Sequence, residues 1–223
     1  MSCQLFNRVC FNPKWIFIFL GISWAHLIGY LYSSYLILWL NSFVVTGQIE
    51  SDKDVETLYS RMTLVIAPTS IFMILITGYM ADYVKPIFLI APGFLGRSIT
   101  TYCFRHVSEP KGIASFTLTG LLVAFSILEV VSLETLLMKN LPREARGALT
   151  ILVTFFMGLA GLLFNFIGGP IFDELGPASP FLLISVFDMF IFVFGIFLHN
   201  TGYLTTEAED NENQKDKQSN IVL

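Results

Sequence analysis

The chain has 223 residues, of which 54% are hydrophobic and 13% charged, with a formal net charge of −4. Soluble domains carry roughly 25% charged residues, so this chain has too little charge to cover a water-facing surface, and lipid is its expected solvent. Its basic residues form no stripe, which excludes nucleic acid as an expected partner.

Cys3 and Cys10 precede the first apolar run and Cys103 lies far from both, an odd and scattered set that spells neither a disulfide framework nor a metal site. Palmitoylation of Cys3 or Cys10 beside the membrane is the alternative to free thiols.

Six apolar stretches reach the length of about 20 residues that a membrane-crossing helix needs. The first runs from Trp15 to Leu40 without a charge and is too long for a signal-peptide core, so it reads as a span that is retained. Met62–Met80 follows, also uncharged. Ile87–Phe104 carries Arg97, and Ile113–Met138 carries Glu129 and Glu134. Ala148–Ile171 is uncharged, and Phe181–Leu198 carries Asp188. The predicted fold is an all-α membrane protein with six transmembrane helices over residues 14–199. A cytosolic segment, 1–13, precedes it, and an acidic tail, 200–223, with too little apolar surface to order itself, follows. In the acidic loop from Asn41 to Arg61, the stretch Ser51–Tyr59 predicts a helical turn ahead of the second span.

With six spans both termini share a side. That side carries Arg8, Lys14, Lys85, Lys139, Arg143, Arg146, Lys215 and Lys217, against Lys53, Arg61, Arg105 and Lys111 opposite. The excess of positive charge predicts both termini in the cytosol.

Three motifs sit at span ends: Gly78-Tyr-Met-Ala-Asp82-Tyr-Val-Lys85 after the second, Leu141-Pro142-Arg143-Glu144-Ala145-Arg146-Gly147 after the fourth, and Gly168-Gly169-Pro170-Ile-Phe-Asp173-Glu-Leu-Gly176 closing the fifth. Gly78 would let helices approach closely, Asp82 would cap or pair at a helix end, and Lys85 would hold its loop in the cytosol. Pro142 would open a helical turn, with Arg143 and Arg146 at anionic headgroups. The Gly168-Gly169-Pro170 run predicts the end of a helix. In this order the motifs resemble the C-terminal half of a major facilitator superfamily transporter, over roughly residues 14–200. The loop from Gly78 is similar to the family's cytosolic loop motif and departs from it at Tyr83 and Pro86, where the trailing basic residues are missing. The resemblance implies a three-plus-three inverted repeat. In the sequence, Gly78-x-x-x-Asp82 recurs as Gly169-x-x-x-Asp173, and Asp188 stands at the same offset from Arg97.

Ionisable side chains at membrane depth cost about 2.5–3.5 kcal/mol each and need partners or a wet cavity. Arg97, Glu129 and Asp188 all fall near the midplane of their spans. Glu129 is the candidate for a cavity wall that carries a proton or meets a cationic solute, and the resemblance adds that the family's tenth helix faces its cavity. The competing reading is an Arg97–Glu129 pair that fixes helix packing. On the resembled fold Arg97 and Asp188 occupy peripheral helices, which favours pairing or packing for both. Asn165 and His26 are weaker cavity candidates, since a lone Asn or His in a span more often bonds across helices. Glu134 is expected to be solvated beside Lys139. Gly158 and Gly161 are expected to permit close packing, and Pro68 and Pro92 to kink their helices.

Nothing resembles an enzyme active site: there is no metal-ligand spacing, phosphate loop or nucleophile–base pairing, and no cofactor is expected. The predicted function is transport of a small solute, with or without protons, by a half-length unit that a second copy or a separate half-unit would complete. The alternatives are an accessory membrane subunit without flux and a channel-like homo-oligomer with Glu129 on the pore.

Overall fold

The computed structural model describes residues 12–27, 29, 31–140 and 146–204. Helix α1 spans Pro13–Ala25, and a π-helical segment, Leu31–Leu36, leads into α2, Ile37–Val45. The long helices are α3 (Asp52–Tyr83), α4 (Ile87–Phe104), α5 (Ile113–Asn140), α6 (Arg146–Leu175) and α7 (Ser179–Asn200). Among the described residues there is no strand. The helices α3 to α7 are each long and apolar enough to cross a membrane, which makes the chain a multi-pass helical protein of the bilayer.

The first predicted span is not one helix. It leaves α-helical geometry after Ala25 in a turn at His26 and Leu27, is helical again at Gly29, and runs through the π-helical segment into α2. The carbonyls exposed where the helical ladder lapses must find other donors. The predicted turn at Ser51–Tyr59 also differs: it is the beginning of α3 itself, with Ser51 just ahead of it donating to the Asp54 carboxylate and with Asp52 and Asp54 in the first turn, whose charge favours a helix N-terminus. At 1.5 Å per residue α3 is about 48 Å long, so its first turns stand clear of a hydrocarbon layer of about 30 Å.

The run Gly168-Gly169-Pro170 does not end α6, which continues to Leu175 with Pro170 inside it. The stop comes at Gly176, whose φ of +91° is the left-handed backbone that glycine accepts. Pro68 and Pro92 likewise lie inside continuous helices. Within the described part of the expected tail, the turn 201–204 closes α7; residues 205–223 lie outside the described residues.

Helix α4 packs on α5 and α7, and α3 packs on α5; α1 meets α5, α6 and α7, and α2 meets α3. Two glycines let α4 and α5 touch: a Cβ on Gly93 would stand 2.7 Å from Glu129 Cγ, and one on Gly96 would enter the Phe125 ring. The close approaches expected at Gly78 and Gly158 are absent, since open space surrounds both. Helices α4 and α7 are tied by a reciprocal pair in which the Ser98 hydroxyl donates to the Ser185 carbonyl at 2.8 Å and the Ser185 hydroxyl to the Ser98 carbonyl at 2.9 Å. These two helices are peripheral in the resembled family, yet here they bury more of themselves than α3 or α6.

The core has two apolar layers. One gathers Phe17, Ile22, Phe94, Leu133 and Ile191. The other gathers Leu27, Trp39, Phe104, Leu122 and Ile184, with Phe104 stacked on Phe181 at 4.8 Å between ring centroids. Along α4, α5 and α7 the buried residues between the layers are mainly polar, and they include Arg97, Glu129 and Asp188.

Candidate functional site

Arg97 lies between Phe94 and Phe104, Glu129 between Leu122 and Leu133, and Asp188 between Ile184 and Ile191, so the three helices present their charges to one another. All three are buried, with at most 1% of each exposed. Arg97 Nε donates to Asp188 Oδ2 at 2.8 Å and Nη2 to Oδ1 at 2.5 Å, a two-pronged bond that matches guanidinium to carboxylate geometry. The Trp24 indole N–H donates to Asp188 Oδ1 at 2.7 Å. On its other side Arg97 Nη1 lies 2.6 Å from Glu129 Oε2 and donates to the Ala25 carbonyl at 3.3 Å. That carbonyl is one of those left open at the end of α1, where the helix dipole is negative.

The two carboxyl groups are served unequally. Asp188 receives three hydrogen bonds from charged or indole donors. The Glu129 contact is a close charge approach rather than an aligned bond, and among the described residues neither Glu129 oxygen accepts a hydrogen bond. Two acids against one base, fully ionised, would place one net negative charge between two apolar layers, where desolvation makes an uncompensated charge expensive.

Trp24→Phe keeps the ring that stacks on Phe187 at 4.5 Å and removes the N–H that Asp188 accepts. Hydrogen bonds to charged groups contribute about 1.5–3 kcal/mol. Thermal unfolding in detergent should show a loss of that order, and a change below about 0.5 kcal/mol would mean the bond contributes nothing net.

The remaining predicted residues are dispersed. Glu129, expected on a cavity wall, is enclosed by α4 and the Arg97 head. His26 caps α1 with Nε2 3.4 Å from Glu134 Oε1, on a half-open face. Glu134 therefore faces His26, while Lys139 Nζ donates to the Ala81 carbonyl at 2.7 Å. Asn165 is exposed on α6. Asp82 and Lys85 are exposed and Gly78 half-buried at the α3–α4 connection; Asp173 is exposed near the end of α6. A Cβ on Gly168 would collide with the Tyr35 hydroxyl, so this glycine admits the π-helical segment, whereas Gly169 has open space. Pro142 and Arg143 lie outside the described residues; Arg146 opens α6 and Gly147 is exposed beside it. The exposed Cys103 is a free thiol, and Cys3 and Cys10 lie outside the described residues.

Trp24 and the Ala25 carbonyl were not singled out from sequence. The available signal was a tryptophan in the middle of an apolar run rather than at its edge, because an indole N–H at membrane depth needs an acceptor there.

No protein-family model matches the chain, and no curated protein or solved structure matches it either. What fold and site define together is a class: a multi-pass helical membrane protein with a charged layer sealed inside its bundle.

Proposed function

We propose that the chain is a half-unit of a secondary transporter of the major facilitator type, moving a small solute by alternating access together with a second copy or a separate half. One observation carries this reading. The first span is interrupted beside the Arg97–Glu129–Asp188 group and turns the Ala25 carbonyl onto Arg97. Helices interrupted at mid-membrane, with their ends aimed at charge, are the way secondary transporters build sites.

The pattern of neighbours supports a three-plus-three inverted repeat of six crossings, with α1 to α2 as the first. Exchanging α1 with α5, α3 with α6 and α4 with α7 turns the α4–α5 pair into α7–α1 and the α3–α5 pair into α6–α1, and all of these are packed pairs. At the level of helices, α4 meets α5 through Arg97 and Glu129, and α7 meets α1 through Asp188 and Trp24. Arg97 and Asp188, 91 positions apart, are each other's equivalents and each other's partners. The excess of Lys and Arg on the terminal side supports cytosolic termini.

In this reading Glu129 is the proton carrier. Asp188 holds its charge against three donors, so the surplus charge is relieved at least cost by a proton on Glu129. Ionisable groups at this depth, facing a bundle interior, commonly serve such relays.

A second reading, an accessory subunit without flux, is favoured by the enclosure of Glu129. Native mass measurement and cross-linking in the membrane, with proton movement followed by a pH dye in liposomes, separate the two. A dimer or a pair with another half, and solute-dependent proton movement, are expected. A strict monomer that moves neither solute nor proton would overturn the transport reading.

A further inference from the structure

The charged layer divides the bundle into two sides that treat their buried hydroxyls differently. On the side of the apolar layer around Leu122 and Ile184, every buried serine and threonine among the described residues has a partner. Ser98 and Ser185 donate to each other's carbonyls. Thr100, Thr101, Thr119 and Ser126 donate to the carbonyl four residues back along their own helices, the usual resort of a hydroxyl inside a helix. Ser115 and Ser179 donate to carbonyls in the turns ahead of theirs.

On the side of the layer around Leu133 and Ile191, no buried serine or threonine has a partner. Ser23, Thr77 and Ser132 are at most 6% exposed, and among the described residues their oxygens make no hydrogen bond. Thr77 belongs to this side because it stands one turn before Ala81, whose carbonyl takes Lys139 Nζ from the end of α5. Other buried atoms without a hydrogen bond are His26 Nε2, which faces Glu134, both Glu129 oxygens, and Asn140 Oδ1 at the end of α5. The contrast is sharpest on α5 itself. Ser126 and Ser132 lie three residues to either side of Glu129, both its neighbours on the helix surface. The first donates to the Leu122 carbonyl at 2.6 Å and the second bonds to nothing. A buried polar atom without a partner has given up water for nothing, and such atoms are rare in a permanently closed interior.

The same side has a joint and an approach for water. Helix α1 ends in the turn at His26 and Leu27, level with the charged layer, where Trp24 bonds Asp188 and the Ala25 carbonyl bonds Arg97. Its length up to that pivot rests on α5 at Gly21, where a Cβ would stand 3.2 Å from the Leu133 methyls. A hollow of about 510 Å³ opens beside this seam, lined by Val131, Glu134, Thr135, Met138 and Lys139. Glu134 Oε1 in its wall is 3.4 Å from His26 Nε2.

We propose that the segment Pro13–Ala25 swings from α5 about the turn at His26 and Leu27, and that water then reaches Glu129 from this side of the bundle alone. The opening hydrates the hydroxyls that the closed state leaves unmet, whereas the opposite side has nothing to gain from water. Water entering from the hollow meets Glu134 and His26 first, then Ser132, and Glu129 last. That a proton exchanged by this route moves with a solute rests on the transport reading; that water reaches Glu129 from this side does not.

X-ray radiolysis of the unaltered chain in lipid nanodiscs tests this. It makes hydroxyl radicals from water, these oxidise the side chains that water touches, and mass spectrometry maps the products. Ile22, Leu133, Leu122 and Ile184 are each at most 2% exposed in the closed structure, so a difference among them reports opening. Leu133 and Ile22 are expected to oxidise at least about tenfold faster than Leu122 and Ile184, since local opening exposes one layer and not the other. Ser132→Cys and Ser126→Cys place the same reactive side chain at equal distances from Glu129, and the first should oxidise faster by a similar factor. Equal oxidation of the two layers, protection of both, or oxidation of Ile191 without Leu133 and Ile22 would overturn the proposal. So would a Ser132→Cys thiol oxidised no faster than that of Ser126→Cys, because water would then stop short of Glu129. One-sided oxidation in a protein that moves no solute upholds the route while the transport reading falls.

Discussion

Arg97→Leu should destabilise the protein by about 3–5 kcal/mol, the usual cost of removing one partner from a buried ionic group. The substitution leaves Asp188 and Glu129 in the sealed layer without a counter-charge, and it strips the Ala25 carbonyl of the donor that meets it where the first span breaks. Thermal unfolding in detergent at neutral pH, followed by helical circular dichroism, measures it. The double variant Arg97→Leu/Asp188→Leu sharpens the result. If Glu129 holds a proton in the folded state, removing the Arg97–Asp188 pair together leaves only neutral groups, and most of the loss should return, since apolar replacements of whole buried pairs are often neutral. If Glu129 is instead the ionised partner of Arg97, the double variant strands its charge and stays as unstable as the single one.

If Glu129 holds a proton in the folded state, Glu129→Gln should leave stability within about 1 kcal/mol of the parent, because the amide then replaces a neutral acid of the same shape that likewise needs no counter-ion. Its effect should fall on function. With no group to load and release a proton, solute-coupled proton movement in liposomes should drop to the level of protein-free vesicles. Coupled movement that persists unchanged in the variant would remove Glu129 from the proton path and leave the triad as a packing device. Paired with the Arg97 variants, the prediction tests whether the two carboxyl groups divide the work, Asp188 holding the bundle together and Glu129 carrying the labile charge.

Much of the bundle is legible from sequence, for a reason particular to lipid. Every backbone group must be bonded inside the segment that crosses, so long apolar runs can only be helices, and the long helices α3 to α7 cover the second to sixth predicted spans. What the runs conceal is interruption. Trp15–Leu40 carries no charged residue, yet its α-helical ladder lapses after Ala25, because apolarity reports the solvent around a segment and not the continuity of its hydrogen bonds. The helix end predicted at Gly168-Gly169-Pro170 failed for the converse reason. A local propensity to stop was overridden, and the helix ended where a residue could turn left-handed at Gly176.

The sequence also named Arg97, Glu129 and Asp188 as three costly groups at one depth, since charge in lipid stands out against an apolar background. It could not say which pairs with which. That depends on rotation and approach: Gly93 and Gly96 set α5 against α4, and the Ser98–Ser185 exchange sets α7 there. Those contacts place two donor arms of Arg97 on Asp188, leave Glu129 with a single unaligned approach, and bring in Trp24 from a helix whose one charge, Lys14, lies in its first turn. Composition thus determined that the chain lives in a membrane and that its buried charges need answering. Only the tertiary structure decided that the answer is unequal, because hydrogen bonds between helices depend on angles and distances of a few tenths of an ångström, and no linear pattern records these.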